Sequence, residues 1–134
     1  LADVLRENGI AKKADVIVPV PMYRSDKRRR GYNQSALIAR VMSNELDIPL
    51  AEKAVEKQRL TAHQKELTRD ERAVNLKNAF EVTLPQNIRG KQVLLIDDVC
   101  TTGATMSEIT EILLKSGAAA VHCASCCKTP MKGT

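Results

Sequence analysis

Aromatic residues are almost missing from this sequence: two tyrosines, one phenylalanine and no tryptophan in 134 residues. A core without rings must be aliphatic. Recognition of single-stranded nucleic acid by base stacking, which needs exposed rings, is disfavoured. There is also no run of about 18 apolar residues, so no membrane-spanning helix is expected. The first residues lack the basic, apolar and cleavage regions of a signal peptide. Cysteine is sparse: Cys100, Cys123, Cys126 and Cys127. Three of the four crowd into one stretch, which makes a poor disulfide framework. Reduced thiols and a cytoplasmic location are therefore the expectation.

The length suits one domain, here residues 1–134, with a real core. Hydrophobic residues at 43% and charged residues at 28% are the balance of a globular chain. A net charge of +5 favours an anionic partner, either nucleic acid or a phosphorylated small molecule. The chain opens on Leu1 rather than Met, so it is expected to be part of something longer.

Strand and helix patterns alternate. Leu1–Asn8 reads as a short helix closed by Gly9. Asp15–Pro21 is a β-branched apolar run, a buried strand. Met22–Gly31 is a loop dense in positive charge. Gln34–Leu46 is an amphipathic helix with Leu37, Ile38, Val41, Met42 and Leu46 on one stripe. Short strands are expected within Ala51–Arg59 and Ala79–Thr83. Between them, Leu60–Lys65 reads as a mobile loop, and Thr68–Glu71 matches a capping box that starts a helix. Leu84–Gly90 is a turn region. Lys91–Asp97 is a continuous apolar run, a central parallel strand. Asp97–Thr105 reads as a loop, Ala104–Ser116 as a helix stopped by Gly117, and Ala118–Ala124 as a last strand. The expected class is α/β, with a mainly parallel central sheet flanked by helices.

The chemistry concentrates in Val93–Thr105. A buried strand ends in two carboxylates, Asp97 and Asp98. A loop of small hydroxyl residues follows, and then a helix begins. Ligands of open α/β sheets bind at the carboxyl ends of strands. Backbone N–H groups at a helix start favour an anion. Thr101, Thr102 and Thr105 add hydroxyl donors, while Gly103 and Ala104 let a phosphate approach the backbone. The carboxylates can bind neighbouring sugar hydroxyls or a metal ion. A lone Asp-Asp would be read as the end of a strand and nothing more. The full pattern in a strand–loop–helix context is far more specific. Neither a Walker P-loop nor a Gly-x-Gly-x-x-Gly fingerprint is present.

This stretch resembles the motif by which type I phosphoribosyltransferases bind 5-phosphoribosyl-1-pyrophosphate (PRPP). Pro19-Val20-Pro21, Lys27–Gln34, Arg59-Leu60-Thr61, Gln64, Leu67, Glu71-Arg72, Asn75 and Ala79-Phe80 are similar to ComF-type members of that family. The resemblance covers about residues 15–126. It implies a type I phosphoribosyltransferase fold and a PRPP site. Asp97 and Asp98 would hold the ribose hydroxyls, with Mg2+ bound directly or indirectly. Thr101, Thr102, Gly103, Ala104 and Thr105 would hold the 5-phosphate. The loop Lys27, Arg28, Arg29, Arg30 and Gly31 would grip the pyrophosphate. Cationic groups near a strongly anionic leaving group make physical sense. The same loop could instead be solvated or touch DNA phosphates.

The resemblance further implies a link to DNA uptake in competence and to DNA utilisation, with DNA-uptake proteins as partners and a homodimer conceivable. Glycosyl transfer to a nucleobase-type acceptor is the expected reaction. A non-catalytic PRPP- or nucleotide-binding accessory is the alternative, because a base-stacking hood is not visible in the sequence. ComF-type proteins often carry an N-terminal four-cysteine zinc module, and no cysteine precedes Asp15. The chain is therefore expected to be the C-terminal part of a longer protein.

Other candidates are weaker. Leu60–Arg72, with Lys65, Arg69, Arg72 and His63, falls where many relatives carry a loop that closes over substrate. A surface loop and helix are the readier explanation for any single residue there, and a lone His is usually structural or solvent-exposed. His122, Cys123, Cys126 and Cys127 invite a zinc reading. A four-ligand site usually uses two separated pairs, however, and cysteines near a strand are common core residues. Cys100 has no neighbouring base in sequence to activate it.

Overall fold

The computed structural model describes residues 1–22, 33–57, 79–100 and 103–128, with the backbone alone at 99, 100 and 126–128. The expected elements at Met22–Gly31 (beyond Met22 itself), Leu60–Lys65 and Thr68–Glu71 lie outside the described residues.

Three strands form a parallel sheet: β1 (Val16–Pro19), β4 (Gln92–Cys100) and β5 (Ala120–Lys128), in the order β1–β4–β5. A second, antiparallel pair joins β2 (Val55–Lys57) to β3 (Phe80–Val82). The helices are α1 (Ala2–Glu7), α2 (Ile10–Lys13), α3 (Gln34–Leu46) and α4 (Ala104–Lys115). The chain is α/β, with its main sheet parallel and helices packed against it.

The central strand explains this layering. In an extended strand, alternate side chains face opposite sides. Val93 and Leu95 pack with Met106, Ile109 and Leu113 of α4. Leu94 and Ile96 pack with Ala39 and Met42 of α3 and with Leu5 of α1. All four β4 residues are fully buried. A strand covered on both faces reads as an unbroken apolar run, as Val93–Ile96 does.

Proline is tolerated in β1 for a local reason. The Val20 N–H donates to Ile96 O of β4 at 2.8 Å, whereas the Ile17 N–H points outward, to Pro49 O at 2.8 Å. Pro19 shares the outward parity of Ile17, so its missing N–H costs the β1–β4 ladder nothing.

The helix expected over Leu1–Asn8 is present as α1, and Gly9, at a left-handed φ of 83°, separates it from a second short helix, α2, that was not expected. Three expectations need correction. The strand β4 runs on through Asp97 and Asp98 to Cys100, where a loop was expected. It does so because β5 keeps pairing with it, Asp97 to Ser125, Val99 to Cys127 and Cys100 to Lys128. Accordingly β5 ends at Lys128 rather than Ala124. On α3 the buried face is Ser35, Ala36, Ala39 and Met42, while Leu37 and Val41 are exposed. Small residues let the helix lie close to the sheet, and that rotates the larger pair outward.

Candidate functional site

The site lies at the carboxyl ends of β1 and β4, where α3 begins. Asn33 caps α3: its Oδ1 accepts the Ser35 N–H at 3.0 Å. This satisfies one of the free donors of a helix start. The Asn33 Nδ2 donates to Val20 O at 3.2 Å, just beyond β1. One side chain thus ties the helix to the strand end.

Ser35 is the single buried polar residue among the described residues, 4% exposed. Its Oγ donates to Asp97 Oδ1 at 2.9 Å and accepts the Asp98 N–H at 3.1 Å. The Asp98 N–H also reaches Asp97 Oδ1 at 2.8 Å. The acidic pair at the end of the central strand is therefore held from two directions.

This arrangement is electrostatically costly. The Asp97 carboxyl is pushed from its ordinary value of 3.8 up to about 6. Burial is the main cause, and the Asp98 carboxyl beside it adds to the shift. The bonds from Ser35 and from the Asp98 N–H favour the ionised form and offset part of it. Two carboxylates withdrawn from water and placed together attract positive charge.

Helix α4 starts nearby at Gly103, which takes φ 80° and carries no side-chain cap. A left-handed turn of this kind suits glycine. The space where a Cβ would stand on Gly103 is open. The helix start offers the backbone N–H pole that an anion prefers. Gly103, Ala104 and Thr105 are half-buried there.

The structure thus brings Asp97 and Asp98 together and places Gly103, Ala104 and Thr105 at the opening of the following helix. Thr101, Thr102 and Lys27–Gly31 lie outside the described residues. His122 is committed elsewhere: its Nε2 hydrogen-bonds Gln92 Oε1 at 3.1 Å. Cys123 is an exposed thiol 3.4 Å from Thr110 Oγ1. The side chains of Cys100, Cys126 and Cys127 lie outside the described residues. No group of three or more His, Cys, Asp or Glu poised for a metal occurs among the described residues. No helix there is long and apolar enough to cross a membrane.

Sequence reasoning missed Ser35. No local signal marks it, because its partner Asp97 lies 62 residues away in sequence.

Comparison with known proteins decides the family. The phosphoribosyl transferase domain model matches residues 1–133. The chain belongs to the phosphoribosyl transferase domain family. It is 43% identical over 115 residues to the DNA utilization protein YhgH of Escherichia coli, covering 86% of this chain and 50% of that protein. It is 41% identical over 107 residues to competence protein F of Haemophilus influenzae, covering 79% and 47%. These are the relatives that the ComF-type resemblance implied, and the chain spans about half the length of each. The fold matches the crystal structure of a purine phosphoribosyltransferase from Pyrococcus horikoshii with a TM-score of 0.59 at 23% identity, over 100% of this chain and 71% of that one.

Proposed function

We propose that this phosphoribosyl transferase domain binds PRPP with Mg2+ at the carboxyl edge of its parallel sheet. It then transfers the phosphoribosyl group to a nucleobase-type acceptor, releasing pyrophosphate. The observation that carries this reading is the Asp97–Asp98 pair, held by Ser35 at the end of the central strand and close in sequence to the start of α4. A role in DNA uptake or utilisation is carried over from the names of its relatives.

Adjacent carboxylates are hard oxygen donors of the kind Mg2+ takes, so Asp97 and Asp98 fit that ion directly or through water. When bound, the metal neutralises charge on the pyrophosphate. The acidic pair binds the ribose hydroxyls and orients C1. As the bond from C1 to the pyrophosphate oxygen breaks, the electron pair leaves with pyrophosphate and positive charge develops on the sugar. Two carboxylates crowded together are relieved by that charge, so they favour the transition state over the ground state. The acceptor nitrogen supplies the new pair to C1 and gives its proton to the departing pyrophosphate or to water. The N–H pole at Gly103–Thr105, with Thr101 and Thr102, holds the 5-phosphate. Lys27–Arg30 and Gly31 hold the pyrophosphate.

One observation favours a second reading, a PRPP- or nucleotide-binding accessory without catalysis. Phe80 is 6% exposed and belongs to the core, so it is not placed to stack on a base.

Calorimetric titration of PRPP with Mg2+ into the wild type and into Asp97→Asn/Asp98→Asn tests the site. Saturable binding in the wild type, lost in the double variant, supports it. Equal binding in both removes the assignment. Pyrophosphate release in the presence of a nucleobase panel separates the enzyme from the accessory.

A further inference from the structure

We propose that Ser35 is a positioning residue for the acidic pair: its hydroxyl fixes the direction of the Asp97 carboxylate, and Asn33 fixes Ser35. The PRPP consequence rests on the reading above, whereas the positioning itself does not.

A serine hydroxyl has one donor and two acceptor positions. The Ser35 donor goes to Asp97 Oδ1 at 2.9 Å, and an acceptor position takes the Asp98 N–H at 3.1 Å. Its own N–H is taken by Asn33 Oδ1 at 3.0 Å. Asn33 in turn holds Val20 O at 3.2 Å. The links therefore run from the end of β1, through the first turn of α3, to the end of β4. At 4% exposure the Ser35 hydroxyl has little access to water. Its bonding lies inside this chain of contacts.

Helix stability alone does not explain a hydroxyl at this position. The cap belongs to Asn33, and an alanine at position 35 would leave it intact. The Asp98 N–H would keep Asp97 Oδ1 as a partner at 2.8 Å. No buried donor would be orphaned, and the side-chain volume would hardly change. Removing the hydroxyl would take away the side-chain donor that aims Asp97 and one of the two acceptors of the Asp98 N–H. Active-site groups must be held close to the productive geometry by contacts of this kind.

The test compares wild type, Ser35→Ala and Ser35→Thr by two measurements at one pH. Three-bond NMR couplings report the χ1 rotamer of Asp97 in the ligand-free protein. Calorimetry reports PRPP affinity with Mg2+. In wild type and Ser35→Thr, Asp97 holds one rotamer; in Ser35→Ala its couplings average. PRPP affinity falls roughly ten- to a hundredfold in Ser35→Ala, as the loss of one charge-assisted bond implies, and recovers in Ser35→Thr. Should Ser35→Ala fail to fold, Ser35→Cys, a weak donor of similar volume, replaces it. A single unchanged Asp97 rotamer without the hydroxyl overturns the inference, whatever PRPP does. The expected rotamer change with no PRPP binding by the wild type upholds the positioning and overturns the functional reading instead.

Discussion

Replacing Asp97 with asparagine should make the domain more stable at neutral pH. The native carboxyl ionises near 6 instead of 3.8, mainly because it is buried and also because Asp98 lies beside it. Each pH unit of such a difference corresponds to about 1.36 kcal/mol. The ceiling is therefore roughly 3 kcal/mol of native-state penalty, and partial exposure to water reduces it to about 1–2 kcal/mol. An amide keeps an oxygen that can accept from Ser35 Oγ and the Asp98 N–H, so the hydrogen bonds need not be lost. The sign follows from linkage. The native carboxyl holds its proton more tightly than the unfolded one, so the penalty is absent below pH 3.8. It grows as pH rises towards 6 and is complete above that. Urea unfolding of wild type and Asp97→Asn from pH 4 to pH 8, without metal, should show a gap that opens with pH and levels off near pH 7. In melting temperature the plateau amounts to several degrees for a domain of this size. A gap that does not change between pH 4 and pH 7 would refute the reasoning, as would an asparagine variant less stable at pH 7.

Three further outcomes follow from single contacts. Asn33→Ala removes the cap of α3 and the bond to Val20 O, and should cost about 1–2 kcal/mol in urea unfolding; Asn33→Asp, which can still cap, should recover part of it. Gly117→Ala places a side chain at φ 107° with its Cβ 3.2 Å from Arg89 Cγ, and should cost roughly 1–2 kcal/mol by the same assay. Leu95→Ala empties a fully buried position between β4 and α4 and should cost about 2–5 kcal/mol.

Much of the fold was legible locally. Helix α3 was readable at Gln34–Leu46 from its apolar repeat. The apolar run at Val93–Ile96 announced a strand buried on both faces. Other features depended on distant partners. Residues Asp97–Cys100 are strand because β5 lies alongside them, and nothing in their own polarity says so. The orientation of α3 could not be read from hydrophobicity, since Ala39 packs against the sheet while Val41 is 54% exposed. Asp97 and Asp98 stood out in the sequence from their place directly after an apolar run. Ser35 did not, because its meaning comes from a carboxylate 62 residues away. In a helical first turn, a serine looks like any solvent-facing residue until its partner is known.

Stability and chemistry are separated by very few residues on one strand. Val93 to Ile96 are fully buried and anchor helices on both faces. The next residue is the strained carboxylate. The apolar part holds the backbone still, and so the acidic part can tolerate an unfavourable charge without moving away from it. A looser strand end would let Asp97 turn into water and lose both its strain and its attraction for a cation. Neighbouring substitutions should therefore act in opposite directions at pH 7: Leu95→Ala lowers stability, while Asp97→Asn raises it and removes ligand binding. That opposition is expected where an electrostatic cost is kept for function. If both substitutions destabilised the domain, Asp97 would be an ordinary structural carboxylate, and the case for a cation-seeking site at this edge would lose its physical basis.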